Sequence, residues 1–86
     1  MRVYRVEITR AARKAIAALP TKMAEKIDAA IARLADDPRP PGSLKLKDTQ
    51  RTWRIRVGQY RVIYDIYDEN ITIVVIRVAH RREAYD

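Results

Sequence analysis

The sequence has no cysteine, which excludes disulfide frameworks, thiol nucleophiles and cysteine-ligated zinc together. It has one histidine, His80, and its carboxylates are scattered along the chain, so no residue set has the spacing of a metal site. The single serine, Ser43, lies in a proline-rich stretch far from His80, and a serine–histidine triad would need a long-range coincidence. Long apolar runs are missing too. The longest run of branched aliphatic residues is Ile73-Val74-Val75-Ile76, far short of a membrane span. Behind Met1-Arg2, the residues Arg5, Glu7 and Arg10 interrupt any signal-peptide core. These absences lead us to expect a cytoplasmic protein that uses no metal, cofactor or membrane.

What the chain has in excess is positive charge. Its 86 residues carry 18 Lys and Arg against 11 Asp and Glu, a formal charge of +7. A field of that sign on so small a protein draws phosphates or acidic protein surfaces. The length suits one domain over residues 1–86. A content of 48% hydrophobic and 34% charged residues is the balance of a folded chain with segregated faces, not of a disordered one.

Hydrophobic periodicity orders the elements. Over residues 3–8, Tyr4, Val6 and Ile8 alternate with Val3, Arg5 and Glu7, the period of a half-buried strand. Thr9 suits an N-cap, and Ala12, Ala15, Ile16 and Leu19 recur at helical spacing until Pro20 stops the run. Thr21 is a candidate cap for a second helix, in which Met23, Ile27, Ala30, Ile31 and Leu34 form an apolar stripe. The helical pattern ends at Asp36-Asp37-Pro38, and Arg39 to Ser43 read as a stiff connector.

From Leu44 the period becomes two. Leu44 and Leu46 open a short strand, and Trp53, Ile55 and Val57 alternate with Arg54 and Arg56 up to Gly58-Gln59. Glycine first in a two-residue loop predicts a type II′ hairpin. Tyr60, Val62, Tyr64 and Ile66 continue the alternation, Asp68-Glu69-Asn70 turns the chain, and Ile71–Val78 is apolar enough for a central strand. The expected class is α+β: an N-terminal strand, a helical hairpin, then an antiparallel β-meander.

A loop of Gly58 and Gln59 sets Val57 against Tyr60, Arg56 against Arg61, Ile55 against Val62 and Arg54 against Ile63. One face then carries Trp53, Ile55, Val57, Tyr60, Val62, Tyr64 and Ile66 for the helices to cover. The other carries Arg54, Arg56 and Arg61. Like charges directly opposed across two strands destabilise the pair, so a bound polyanion is the natural compensation, and a merely solvated basic face is the alternative. Guanidinium in place of ammonium favours planar, bidentate phosphate recognition. Lys45 and Lys47 either extend this track along a nucleic-acid backbone or protect an edge strand from aggregation. Tyr67 shares the arginine parity, whereas Trp53, Tyr60 and Tyr64 belong with the core. The tail adds His80, Arg81, Arg82 and Tyr85, a neutral-range titrating group and a phenol beside cations.

The stretches Trp53-Arg54-Ile55-Arg56-Val57-Gly58-Gln59-Tyr60-Arg61-Val62-Ile63-Tyr64 and Val78-Ala79-His80-Arg81-Arg82-Glu83-Ala84-Tyr85 resemble the RelE branch of the RelE/ParE toxin superfamily. Leu19-Pro20, Asp37-Pro38 and Leu44-Lys45 are similar to the same family, so the likeness spans the chain. It implies a RelE-like fold of microbial-ribonuclease type and the toxin of a type II toxin–antitoxin module. The implied activity is ribosome-dependent cleavage of mRNA in the A site, without a metal. The partners implied are a cognate antitoxin in a hetero-oligomer, the ribosome and mRNA.

By the same resemblance, Arg61 and Arg81 match phosphate-contacting arginines, Tyr85 a C-terminal base, and Arg54 and Arg56 two basic strand positions. Those two positions are lysines in the best-known member, and arginine keeps its proton at any ordinary pH. His80 or a water then inherits the acid role. The expected catalytic set is Arg54, Arg56, Arg61, His80, Arg81 and Tyr85, and the expected RNA-binding set is Lys45, Lys47, Arg54, Arg56 and Arg82. The rival readings are a ParE-like inhibitor of DNA gyrase that does no chemistry, and a plain basic nucleic-acid-binding domain.

Overall fold

The computed structural model describes residues 3–82. Five strands form one sheet in the order β1-β5-β4-β3-β2: β1 Arg5–Ile8, β2 Leu44–Lys45, β3 Thr52–Val57, β4 Tyr60–Tyr67 and β5 Thr72–His80. The strand, helical hairpin and antiparallel meander anticipated from periodicity are all present, with α1 over Arg10–Ala17 and α2 over Thr21–Leu34. The helical hairpin carries the chain back across the sheet, so β1 pairs parallel to β5, while all other pairs are antiparallel.

The helices bury their apolar stripes against one sheet face. Ala12 and Ile16 of α1 and Ile27, Ile31 and Leu34 of α2 close on Ile55, Val62, Tyr64, Ile66, Ile73, Val75 and Val78. Full burial of each large aliphatic side chain contributes about 1.5–3 kcal/mol, which is why the periodicity was a sufficient guide to these contacts. Several boundaries differ from the sequence expectation: β1 covers Arg5–Ile8 and not all of residues 3–8, β2 ends at Lys45, before Leu46, and β5 runs past Val78 to His80. Pro20, not Thr21, occupies the N-cap of α2, with no side-chain cap, and its carbonyl accepts from the Ala24 N–H. Proline's fixed φ suits the entry, and Thr21 already lies inside the helix. The last strand starts at Thr72 because Ile71 turns left-handed, at φ 49° and ψ 48°, behind the short 3-10 turn Asp68–Asn70.

The β3–β4 register is the one expected, with Val57 opposite Tyr60 and Arg56 opposite Arg61. Gly58 takes φ +59°, as the first central position of a type II′ turn requires. Between β4 and β5 the pairing slips: Ile63 faces Arg77, but Tyr64 faces Val75. Ile76 is therefore an extra residue, a β-bulge. Thr9 holds this bulge at the mouth of α1. Its N–H donates to the Val75 carbonyl at 3.0 Å, its hydroxyl donates to the Ile76 carbonyl at 3.4 Å, and its Oγ1 accepts the Ala12 N–H at 3.2 Å.

The connector is tied down as firmly. Buried Tyr64 donates its phenol to the Pro38 carbonyl at 2.7 Å. Arg39 grips Asp68 through two hydrogen bonds of 2.8 and 3.4 Å and lies over the Trp53 ring, 5.2 Å from its centroid. Tyr4 donates to the same carboxylate at 2.6 Å.

Two outcomes are expected. Thr9→Val keeps the branched shape but removes the cap and the bulge contact, and should cost about 1–2 kcal/mol in urea unfolding. An unchanged midpoint would show that the bulge stands without Thr9. The second concerns alkaline pH. Burial pushes the Tyr64 phenol up to about 12, with the Asp37 carboxylate adding to the shift and Arg39 opposing it. The unfolded phenol loses its proton near its ordinary value of 10, so between these values the folded state binds the extra proton. Stability is then full below about pH 10 and is lost as pH rises through about 12. Tyr64→Phe should start about 1 kcal/mol lower at neutral pH and show a shallower alkaline decline.

Candidate phosphate-binding site

The bulge decides which side chains meet at the β3–β4 hairpin. Before it, Ile73 and Val75 face the helices; beyond it Val78 does so, and Ala79 lies opposite Arg61 on the open face. Arg81, two residues further, shares that parity, and its N–H donates to the Gln59 carbonyl at 2.8 Å. This bond fixes Arg81 beside the hairpin turn. Arg56, Arg61 and Arg81, with Gly58 and Tyr60, then line one concavity of about 180 Å³.

Its electrostatics are one-sided. Neither Arg56 nor Arg81 forms an ion pair among the described residues; the ion pairs there are Arg5–Glu7, Arg39–Asp68 and Arg51–Glu69, all at other places. No side-chain carboxylate is among the residues that line the concavity. Such an arrangement suits a phosphate group, with bidentate N–H donation to its oxygens. The described residues contain no cluster of histidine and carboxylate that would hold a metal ion.

The other expected site residues fall elsewhere. Arg54 is not part of an exposed trio: it is 7% exposed, and its guanidinium donates to the Gly42 carbonyl at 3.3 Å. The connector folds back over β3 and uses this arginine as a brace. Lys45 pairs with Trp53, so it lies on the face opposite the arginines, and its ammonium donates to the Thr49 carbonyl in its own loop. Lys47 is exposed in the turn after β2, and Arg82 is exposed past β5. His80 pairs with Tyr60 on the helix side of the sheet; the rings meet edge to face at 5.3 Å. Its Nδ1 accepts the Arg82 N–H at 3.3 Å. Tyr85 lies outside the described residues. Tyr67 has its ring covered by Arg51 at 4.6 Å.

Sequence reasoning missed a second apolar cluster on the open face, where Leu46 and Ile76 cover Ile63 and Ala79. The signal was Ile63 itself, an apolar residue on the parity of the arginines. The contrast between the two strand arginines is testable. Arg54→Ala should cost about 2 kcal/mol in urea unfolding, the order expected for a buried charged hydrogen bond. Arg56→Ala, at an exposed position, should stay within about 0.5 kcal/mol of the parent. Equal effects would place both side chains in the same environment.

Comparison with known proteins finds relatives along nearly the whole chain. The family described as "ParE toxin of type II toxin-antitoxin system, parDE" matches residues 6–85. The toxin RelG of Mycobacterium tuberculosis is 34% identical over 83 residues, covering 95% of both chains. Among solved structures, a chain of the archaeal RelE–RelB complex from Pyrococcus horikoshii OT3 superposes with a TM-score of 0.84 at 29% identity, covering 95% of this chain and 99% of that one. The toxin–antitoxin complex RelBE2 of M. tuberculosis gives 0.77 at 32% identity, covering 92% and 99%. No described helix is long and apolar enough to cross a membrane. With the profile covering nearly all of its length and relatives on the RelE side, the chain belongs to the RelE/ParE family of type II toxin–antitoxin toxins and is RelE-like.

Proposed function

We propose that the protein is a ribosome-dependent endoribonuclease that cleaves mRNA in the A site and is neutralised by a cognate antitoxin of RelB type. The observation that carries this reading is the convergence of Arg56, Arg61 and Arg81 on one concavity, with Arg56 and Arg81 making no ion pair among the described residues. In the reaction, a ribose 2′-oxygen attacks its own 3′ phosphorus and loses its proton. The bond to the 5′-oxygen of the next nucleotide breaks, and that oxygen takes up a proton, leaving a 2′,3′-cyclic phosphate and a 5′-hydroxyl. The three guanidiniums stabilise the extra negative charge of the pentavalent phosphorane, and fixed donors need little reorganisation to do so.

Arginine does not exchange its proton at ordinary pH, so the base and acid lie outside this trio. Tyr85 takes the base role in this reading, and water serves the leaving oxygen, because His80 faces Tyr60 on the helix side of the sheet and does not line the concavity. So shallow a site cannot align a nucleic acid alone, and the ribosome supplies orientation. Arg54 contributes as a brace for the connector and not through contact with RNA.

The matching family's description as ParE favours a second reading, inhibition of DNA gyrase without chemistry. A paired measurement separates the two. Arg61→Ala should lower single-turnover cleavage on programmed ribosomes about a hundredfold or more. Its melting temperature should hold or rise slightly, because the repulsion with Arg56 across the strand pair is relieved. Parental cleavage by this variant, or activity lost only through unfolding, would refute the catalytic role. Inhibition of gyrase supercoiling by the parent, with no mRNA cleavage, would establish the second reading.

A further inference from the structure

A second cavity, of about 290 Å³, opens beside the arginine concavity and shares Arg56 with it. It lies between the C-terminal half of α2 and the connector, and is lined by Ala30, Arg33, Pro40, Pro41, Ile55 and Arg56. We infer that this groove receives the base of the nucleotide adjoining the phosphate held by Arg56, Arg61 and Arg81. The inference rests on the phosphate-binding reading proposed above and adds a base subsite to it.

The chemistry of the groove fits an aromatic ring attached to an anion. Its floor and one wall are apolar, from Ala30, Ile55 and two proline rings, and its polar side chains are two guanidiniums. Bases stack on apolar and guanidinium planes, and such stacking tolerates any sequence because every base has a π-face. Arg33 makes no ion pair among the described residues and sits in the last turn of α2. Arg56 stands between the two cavities, where the sugar–phosphate link between base and phosphate would pass.

The wall is also built before any ligand arrives. Proline fixes φ at Pro40 and Pro41. The Pro38 carbonyl is held by the buried Tyr64 phenol, the Pro40 carbonyl by the Ser43 N–H at 2.9 Å, and the Gly42 carbonyl by buried Arg54. A preorganised groove loses little on binding. Access comes along β3, whose pairing with β2 ends at Trp53 and Arg54, leaving the edge at Ile55–Val57 without a β2 partner.

The test is a titration of the full-length ¹⁵N-labelled protein, followed by NMR at one fixed salt concentration. The probes are inorganic phosphate, an uncleavable 2′-deoxydinucleoside monophosphate, and the same molecule with one base removed. Phosphate should shift the amides of Gly58, Arg61 and Arg81 alone. The dinucleotide should shift these and also Ala30, Arg33 and Ile55, and should bind about tenfold more tightly than its abasic counterpart. Two variants probe the groove separately: Arg33→Ala removes the guanidinium, and Ala30→Leu fills the floor without changing charge. Both should abolish the preference for the base while leaving the phosphate affinity unchanged. Equal binding with and without the base, or loss of the preference in Arg33→Ala but not in Ala30→Leu, would overturn the base subsite and leave the phosphate site standing. Phosphate shifts absent from Arg61 and Arg81 would overturn the phosphate-binding reading itself.

Discussion

One extra residue in β5 sets the arrangement on which the site depends. Without the bulge at Ile76, strict alternation would carry Arg77, Ala79 and Arg81 to the side of Ile73 and Val75, against the helices. With it, Val78 enters the core and Arg81 emerges beside Arg56 and Arg61. A bulge leaves a residue outside the regular ladder, and its carbonyl must find another donor. Thr9 supplies one, with a hydroxyl that also accepts the Ala12 N–H and so starts α1. The helix start and the basic site are thus linked through a single side chain on the opposite side of the sheet.

Charge distribution follows the same geometry. The carboxylates nearest the sheet are engaged at the far end of β4 or at its edges. Asp65 accepts from Thr52 at 2.6 Å, Asp68 from Tyr4 and Arg39, and Glu69 from Arg51. Those pairs are exposed or half-exposed and contribute little to stability individually. Their larger effect is to hold these carboxylates away from Arg56 and Arg81, which make no ion pair among the described residues. Repulsion between Arg56 and Arg61 is the cost, and the proposed phosphate ligand would lower it.

Features governed by local parity were legible in the sequence. A two-residue loop at Gly58-Gln59 and strict alternation on both sides fix the β3–β4 register, and the burial of Ile55, Val62 and Tyr64 follows from it. The bulge was not legible, because Ile76 sits in an apolar run that fits either face, and nothing in Ile-Val-Val-Ile marks an extra residue. The burial of Arg54 depends on a connector that folds back by tertiary contacts, through Tyr64 and Gly42. Parity alone grouped this arginine with Arg56, although the two occupy different environments. The prolines at 38, 40 and 41 did signal rigidity, but not that this rigid segment forms a wall.

The concavity also shows what kind of help the proposed reaction needs. Three guanidiniums can hold a phosphate and stabilise added charge, yet none of them can take or give a proton at ordinary pH. His80 is turned to the other side of the strand pair, against Tyr60. Stabilisation of charge is therefore preassembled on the sheet, while alignment of the attacking and leaving oxygens has to come with the substrate. An RNA free in solution samples many conformations, and few of them are in line. Under the proposed function, a message held in a decoding site has lost that freedom already, and the ribosome would meet the entropy of alignment. In that proposed division of labour a small basic sheet suffices: the concavity that the described residues form is small, about 180 Å³, and the substrate would arrive already ordered.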